Sequence, residues 1–109
     1  MEKEQLKTPY ELFGIECGKG WKKLYQPIID KVNEYNKEHK DNPLQIDQIK
    51  EKFGELRIYL SYHVKEIDDM IAIAEEKSRY TCEICGKAIN EPIIKNHWIY
   101  PMCKKCFNK

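Results

Sequence analysis

An α+β fold is predicted for this 109-residue chain: two main helices packed on a short antiparallel β-hairpin, followed by a small cysteine-rich C-terminal module. Three observations lead there. Residues 20–39 carry apolar side chains at three- and four-residue steps, residues 56–62 alternate apolar and polar, and two Cys-x-x-Cys pairs stand near the C-terminal end.

In chain order, Thr8-Pro9-Tyr10-Glu11 has the chemistry of a helix start, with Thr8 as cap, Pro9 at the first helical position and Glu11 completing the capping box. Gly14 follows soon after, so this helix is about one turn long. Over 20–39, Trp21, Leu24, Tyr25, Ile28, Ile29, Val32 and Tyr35 share one face. Lys22, Lys23, Asp30, Lys31, Asn33, Glu34 and Lys37 fill the other. Pro27 either kinks this helix or marks its first turn, and Asp41-Asn42-Pro43 ends it. Leu44 to Lys52 is a weaker strand candidate. Leu56, Ile58, Leu60 and Tyr62 alternate with Arg57, Tyr59 and Ser61 as a half-buried strand does, and Phe53-Gly54-Glu55 is the turn joining the two. Over 64–79, Val64, Ile67, Ile71, Ala74 and Ser78 form one stripe of a second helix, with Met70 and Ile73 beside it. That helix leads directly into Tyr80-Thr81-Cys82. The chain thus divides into an α+β core at 1–79 and a module at 80–109.

Charged residues make up 34% and aromatics 11%, a globular composition rather than a disordered one. The net charge is +1, too small for a whole-molecule field to draw in nucleic acid. Residues 80–109 hold five Lys against two Glu, hence +3, which leaves –2 for residues 1–79. A dication held by four thiolates would add –2 to the tail and cancel most of its basic character. No apolar run follows Met1-Glu2-Lys3-Glu4-Gln5, and no stretch approaches the roughly 18 apolar residues of a membrane span. A cytoplasmic protein is expected. There, reduced cysteines favour metal over disulfides.

Cys82-Glu83-Ile84-Cys85-Gly86 and Cys103-Lys104-Lys105-Cys106 read as two knuckles, with 17 residues between Cys85 and Cys103. A two-residue spacing lets both thiolates of a knuckle reach one ion from a tight turn, and Gly86 permits the backbone bend after the second sulfur. Two such knuckles give tetrahedral sulfur coordination, which suits Zn2+. Ile93-Ile94-Lys95 can pair with Trp98-Ile99-Tyr100 across Asn96-His97 as a small hairpin between them. Three residues follow Cys106 in this sequence, which points to a zinc ribbon or a clipped treble clef. Four sulfurs close the coordination sphere, so the expected zinc is structural. A zinc deaminase needs a Glu two residues after its first ligand and Pro-Cys-x-x-Cys at its second pair. Here Glu83 directly follows Cys82 and Met102 separates Pro101 from Cys103. Cys17, between Glu16 and Gly18-Lys19, reads as a partly buried small residue; the alternative is a thiol activated by nearby lysines.

Lys50 to Tyr59 is the second notable segment. On a strand at 56–62, Arg57 and Tyr59 share the outward face, and Lys50 or Lys52 adds charge from the neighbouring strand. A guanidinium fork and a stacking ring suit a nucleotide, an RNA base or an acidic partner. The alternative is a solvated sheet face with cross-strand pairs such as Glu51 with Arg57.

Gly14-Ile15-Glu16-Cys17-Gly18-Lys19-Gly20-Trp21, the Lys-Glu-Lys-Phe-Gly core of residues 50–59, and the two knuckles resemble a family of small, largely uncharacterised proteins encoded by bacteriophages and prophages. The resemblance covers roughly residues 14–106. Members often have a second glycine where Glu55 stands, and Gly-Trp where His97-Trp98 stands. The resemblance implies an accessory protein acting in the host cytoplasm by binding, either sequestering a nucleotide-derived immune signal or blocking a defence protein. The contact set expected is Trp21, Lys50, Lys52, Arg57 and Tyr59. A site shared by a homodimer is one way for so small a domain to supply concavity. The alternative is a nucleic-acid-binding zinc protein, with Lys87, Lys95, Lys104 and Lys105 on phosphate and Trp98 and Tyr100 stacking on bases. An enzyme is not expected: His39, His63 and His97 are widely separated, and there is no phosphate-binding Gly-rich loop, nucleophile elbow or metalloprotease helix.

Overall fold

The computed structural model describes residues 15–109. The short helix expected after Thr8, and Gly14 at the start of the family motif, lie outside the described residues. A 3-10 turn at Lys19–Trp21 opens directly into helix α1, Lys22–Lys37. Strands β1 (Ile46–Lys52) and β2 (Glu55–Leu60) follow, then α2 (Lys65–Ser78). The module holds β3 (Ile93–Lys95), β4 (Trp98–Tyr100) and a short α3 (Lys104–Phe107). The α+β architecture matches the expected one: helices on an antiparallel hairpin, a second small hairpin, and a cysteine cluster that fits a zinc module.

The core forms where the apolar stripes of α1 and α2 meet the inner face of the first hairpin. Trp21, Tyr25, Ile28, Ile29 and Val32 come from the first helical segment, and Ile67, Ile71 and Ala74 from α2. Leu44, Ile46, Ile49, Leu56 and Ile58 come from the hairpin side. Ile73, placed beside the stripe by its spacing, is 58% exposed. Pro27 lies in the second turn of α1 rather than its first. Its missing N–H leaves the Lys23 carbonyl, near the helix start, without that intrahelical donor.

β1 and β2 pair antiparallel with Ile49 opposite Ile58, Lys50 opposite Arg57 and Glu51 opposite Leu56. The expected Glu51–Arg57 pair is therefore corrected, because register puts those two side chains on opposite faces. Arg57 instead sits 3.4 Å from Glu55 and 3.7 Å from Glu75. The connecting turn is Phe53-Gly54 alone, both at positive φ (53° and 81°), and Glu55 belongs to the strand. A two-residue turn of this hand suits a right-twisted hairpin, and Gly is at home in it. Phe at φ 53° is not, and the Cβ clash of a left-handed conformation costs about 1–2 kcal/mol.

Both edges of this two-stranded sheet are covered. Glu16 N–H donates to Ile49 O, and Glu51 N–H donates to Glu16 O, along the outer side of β1. Along β2, Leu56 N–H donates to Ser78 Oγ at 2.9 Å and Ile58 N–H to Glu75 Oε2 at 3.3 Å. Ser78, one turn after Ala74 on the buried stripe of α2, is thus used as an acceptor for a buried strand amide.

Candidate metal centre and binding face

The first knuckle forms because residues 82–86 fold back on themselves. Cys82 N–H donates to Lys87 O, Gly86 N–H donates to Cys82 O, and Cys85 N–H points at Cys82 Sγ from 3.5 Å. Gly86 takes φ 82°, the bend expected of it. The second knuckle opens α3, with Cys103 as its N-cap residue and Cys106 inside it. Between them β3 and β4 pair in the expected register, Ile93 with Tyr100 and Lys95 with Trp98, across Asn96-His97. The second knuckle thus opens a short helical turn, and the cluster as a whole fits a zinc module.

The ligand atoms of Cys82, Cys85, Cys103 and Cys106 all lie within 4.8 Å of one another, and Cys85 Sγ is 3.8 Å from Cys103 Sγ. A tetrahedral ion with sulfur at about 2.3 Å requires sulfur–sulfur edges of about 3.8 Å. The donor set thus fits a four-coordinate metal in size and in chemistry. Electrostatics agree. Burial opposes ionisation of Cys82, yet backbone N–H groups of Cys85, Cys103 and Ile84 bring its pKa down to about 6. Cys103 is lowered, first by the Cys106 backbone N–H. Cys106 is pushed up to about 12 by burial and by its cysteine neighbours. Four thiolates can share this space only around a cation.

The cluster is anchored to the core by the segment before α1. Trp21 Nε1–H donates to Thr81 O at 2.8 Å, Gly20 N–H to Glu83 O at 2.7 Å, and Gly18 N–H to Glu83 Oε2 at 2.8 Å. Lys23 Nζ donates to Gly86 O at 2.6 Å. Gly20 lies so close that a Cβ there would overlap the Cys82 carbonyl oxygen and the Gly86 amide nitrogen. The Gly18-Lys19-Gly20-Trp21 motif is therefore a seat for the first knuckle, a use that its sequence alone does not announce. Cys17 stands apart from the cluster. It is partly buried, in line with the favoured reading, and burial, then Glu83 and Glu51, push its thiol up to about 12, which speaks against the alternative of a lysine-activated thiolate.

The outward face of the first hairpin carries Gln48, Lys50 and Lys52 on β1 beside Tyr59, Arg57 and Glu55 on β2. Four of the five expected contact residues are thus brought together. Trp21 is not with them: it is fully buried, its ring in the core and its one donor spent on Thr81. Arg57 is held between Glu55 and Glu75. Among the described residues Lys50 and Lys52 form no ion pair, and Tyr59 is exposed. The histidines do not cluster: His39 stacks on Tyr35, His63 faces Asp68, and His97 sits in the β3–β4 turn.

Comparison with family models, curated proteins and solved structures finds no match for this chain. Among the described residues, no helix is long and apolar enough to cross a membrane.

Proposed function

We propose that this is a non-enzymatic binding protein whose fold is stapled by one structural Zn2+, and that it takes a nucleotide-derived ligand on the outward face of the first hairpin. The observation that carries this reading is the placement of Lys50 and Lys52, neither in an ion pair among the described residues, on the same sheet face as exposed Tyr59, with Glu55 opposite Lys52. Ammonium groups suit phosphate and a ring suits a base. Zinc is the metal favoured by four thiolates in tetrahedral array. With all four positions taken by protein sulfur, its contribution is cross-linking.

The resemblance to small phage and prophage proteins supplies the setting. There, a binder of this kind counters host defence by sequestering a nucleotide signal, and the same face would otherwise serve to block a defence protein. The test offers the purified protein to a nucleotide extract of bacterial cells with active defence and identifies what it retains by mass spectrometry. The wild type is expected to retain a nucleotide that the Lys50→Glu/Lys52→Glu variant releases. Retention by neither, or equally by both, contradicts the proposal.

A second reading has one observation behind it. Lys87, Lys104 and Lys105 line a groove of about 670 Å³ beside the second knuckle, a placement that suits the phosphates of a nucleic acid. Binding that falls steeply with salt and survives the Lys50/Lys52 charge reversal would favour it.

A further inference from the structure

The turn of the first hairpin and strand β4 of the second, distant in sequence, meet in space. Gly54 packs against Ile99 so closely that a Cβ on Gly54 would overlap the Ile99 side chain. Beside this contact lies a cleft of about 300 Å³ lined by Glu51, Lys52, Phe53, His97, Trp98 and Ile99. Its two large rings are nearly bare: Phe53 is 72% exposed and Trp98 63%.

Folding does not account for these rings. Phe53 occupies a left-handed turn position that glycine would fill without strain, and it gains almost no burial in return. Across the cleft Asn96 and His97 also take positive φ, so Trp98 is presented by a turn of equally restricted shape. Phe53 and Trp98 are not in ring–ring contact, although the Lys52 ammonium stands over one face of the Phe53 ring. The cleft has a charged side as well. Lys52 Nζ lies 5.7 Å from the Phe53 ring centroid and Glu51 adds a carboxylate to the lining, while Lys50 stands outside the cleft on the same strand face as Lys52.

Two exposed rings lining one cleft, with the Lys52 ammonium at its edge, suit a planar base carrying a phosphate. We propose that a nucleobase inserts between Phe53 and Trp98 where the first hairpin's turn meets β4, its phosphate turned toward Lys52. This rests on the nucleotide reading above and moves base recognition from Tyr59 to the cleft. The same unit could come from a free nucleotide or from a single strand.

The test is a nitrogen–proton NMR titration of the zinc-loaded protein with AMP, and separately with a short oligodeoxyadenylate. The two indole N–H signals report independently, since Trp21 is buried and Trp98 exposed. The Trp98 signal and the amides of residues 51–54 and 97–99 are expected to move while Trp21 stays. The tighter of the two probes identifies the source. Phe53→Gly removes the ring and suits the turn; it is expected to fold at least as stably as wild type and to bind roughly tenfold more weakly, as the loss of one stacking contact requires. Trp98→Tyr should retain most of the affinity. Movement confined to Tyr59 and its strand neighbours would overturn the cleft and leave the binding face standing. Movement at neither place, with either probe, would overturn both. Unchanged affinity in Phe53→Gly would also overturn the proposal.

Discussion

The indole N–H of Trp21 donates to the carbonyl oxygen of Thr81 at 2.8 Å, across 60 residues of sequence and one residue before the first cysteine of the cluster. One side chain thereby belongs both to the hydrophobic core and to the mounting of the metal site. Stability of the core and retention of a metal are therefore expected to be coupled through it.

Trp21→Phe keeps most of the packing and removes the donor. A buried carbonyl left without its partner costs about 1–3 kcal/mol. The variant is expected to melt at a lower temperature and to release its metal faster to a chelator. Lower stability with unchanged metal release would argue that the two are independent.

Gly20→Ala tests the seat itself. The added Cβ meets the Cys82 carbonyl and the Gly86 amide, both backbone, so neither can rotate away. Crowding of this kind typically costs about 1–3 kcal/mol. Denaturant unfolding and chelator competition are expected to shift together, whereas Gly18→Ala and Gly20→Ala equal to wild type would show that the knuckle does not rest on this segment.

Ser78→Ala removes the acceptor for the Leu56 amide at the covered edge of β2. The residue is fully buried and water has no direct access. A loss of about 1–3 kcal/mol in urea unfolding is expected, with an unchanged m-value. Ser78→Thr, which keeps the hydroxyl, should lose less if the methyl is accommodated.

Cys17 supplies a pH prediction. Its thiol sits at about 12 in the folded chain against an ordinary value of 9.0, because burial and then Glu83 and Glu51 oppose the thiolate. The unfolded chain therefore releases this proton first as pH rises. The stability tied to Cys17 is complete below pH 9.0 and is lost between there and about 12. Cys17→Ser is expected to flatten the alkaline fall in melting temperature and leave metal content unchanged. In the native protein Cys17 should alkylate slowly near neutral pH; rapid modification there would contradict its placement.

Much of this molecule is legible in its sequence because periodicity and spacing are local signals. The apolar steps of residues 20–39, the alternation from Leu56 to Tyr62, and the β3–β4 pairing across Asn96-His97 each follow from side chains a few positions apart. The cysteine cluster follows from two short spacings and the coordination chemistry of sulfur. What spacing does not carry is register and long-range contact. Glu51 and Arg57 look like partners until the two-residue turn at Phe53-Gly54 sets Lys50 opposite Arg57. Trp21 looks like a ligand-stacking ring until the first knuckle is found against it, and Gly18 and Gly20 then explain themselves by closeness to Glu83 and Cys82. The meeting of Gly54 with Ile99 joins a turn and a strand that no pattern links. The αL position of Phe53 was the available sign, since an aromatic where a hairpin turn favours Asn or Asp before Gly is out of place.

The most direct test of the account is native mass spectrometry of the protein purified at neutral pH without chelator, paired with thiol alkylation. One zinc ion per chain is expected, with Cys82, Cys85, Cys103 and Cys106 protected until the metal is removed. A metal-free protein with all five cysteines modified at once would contradict it.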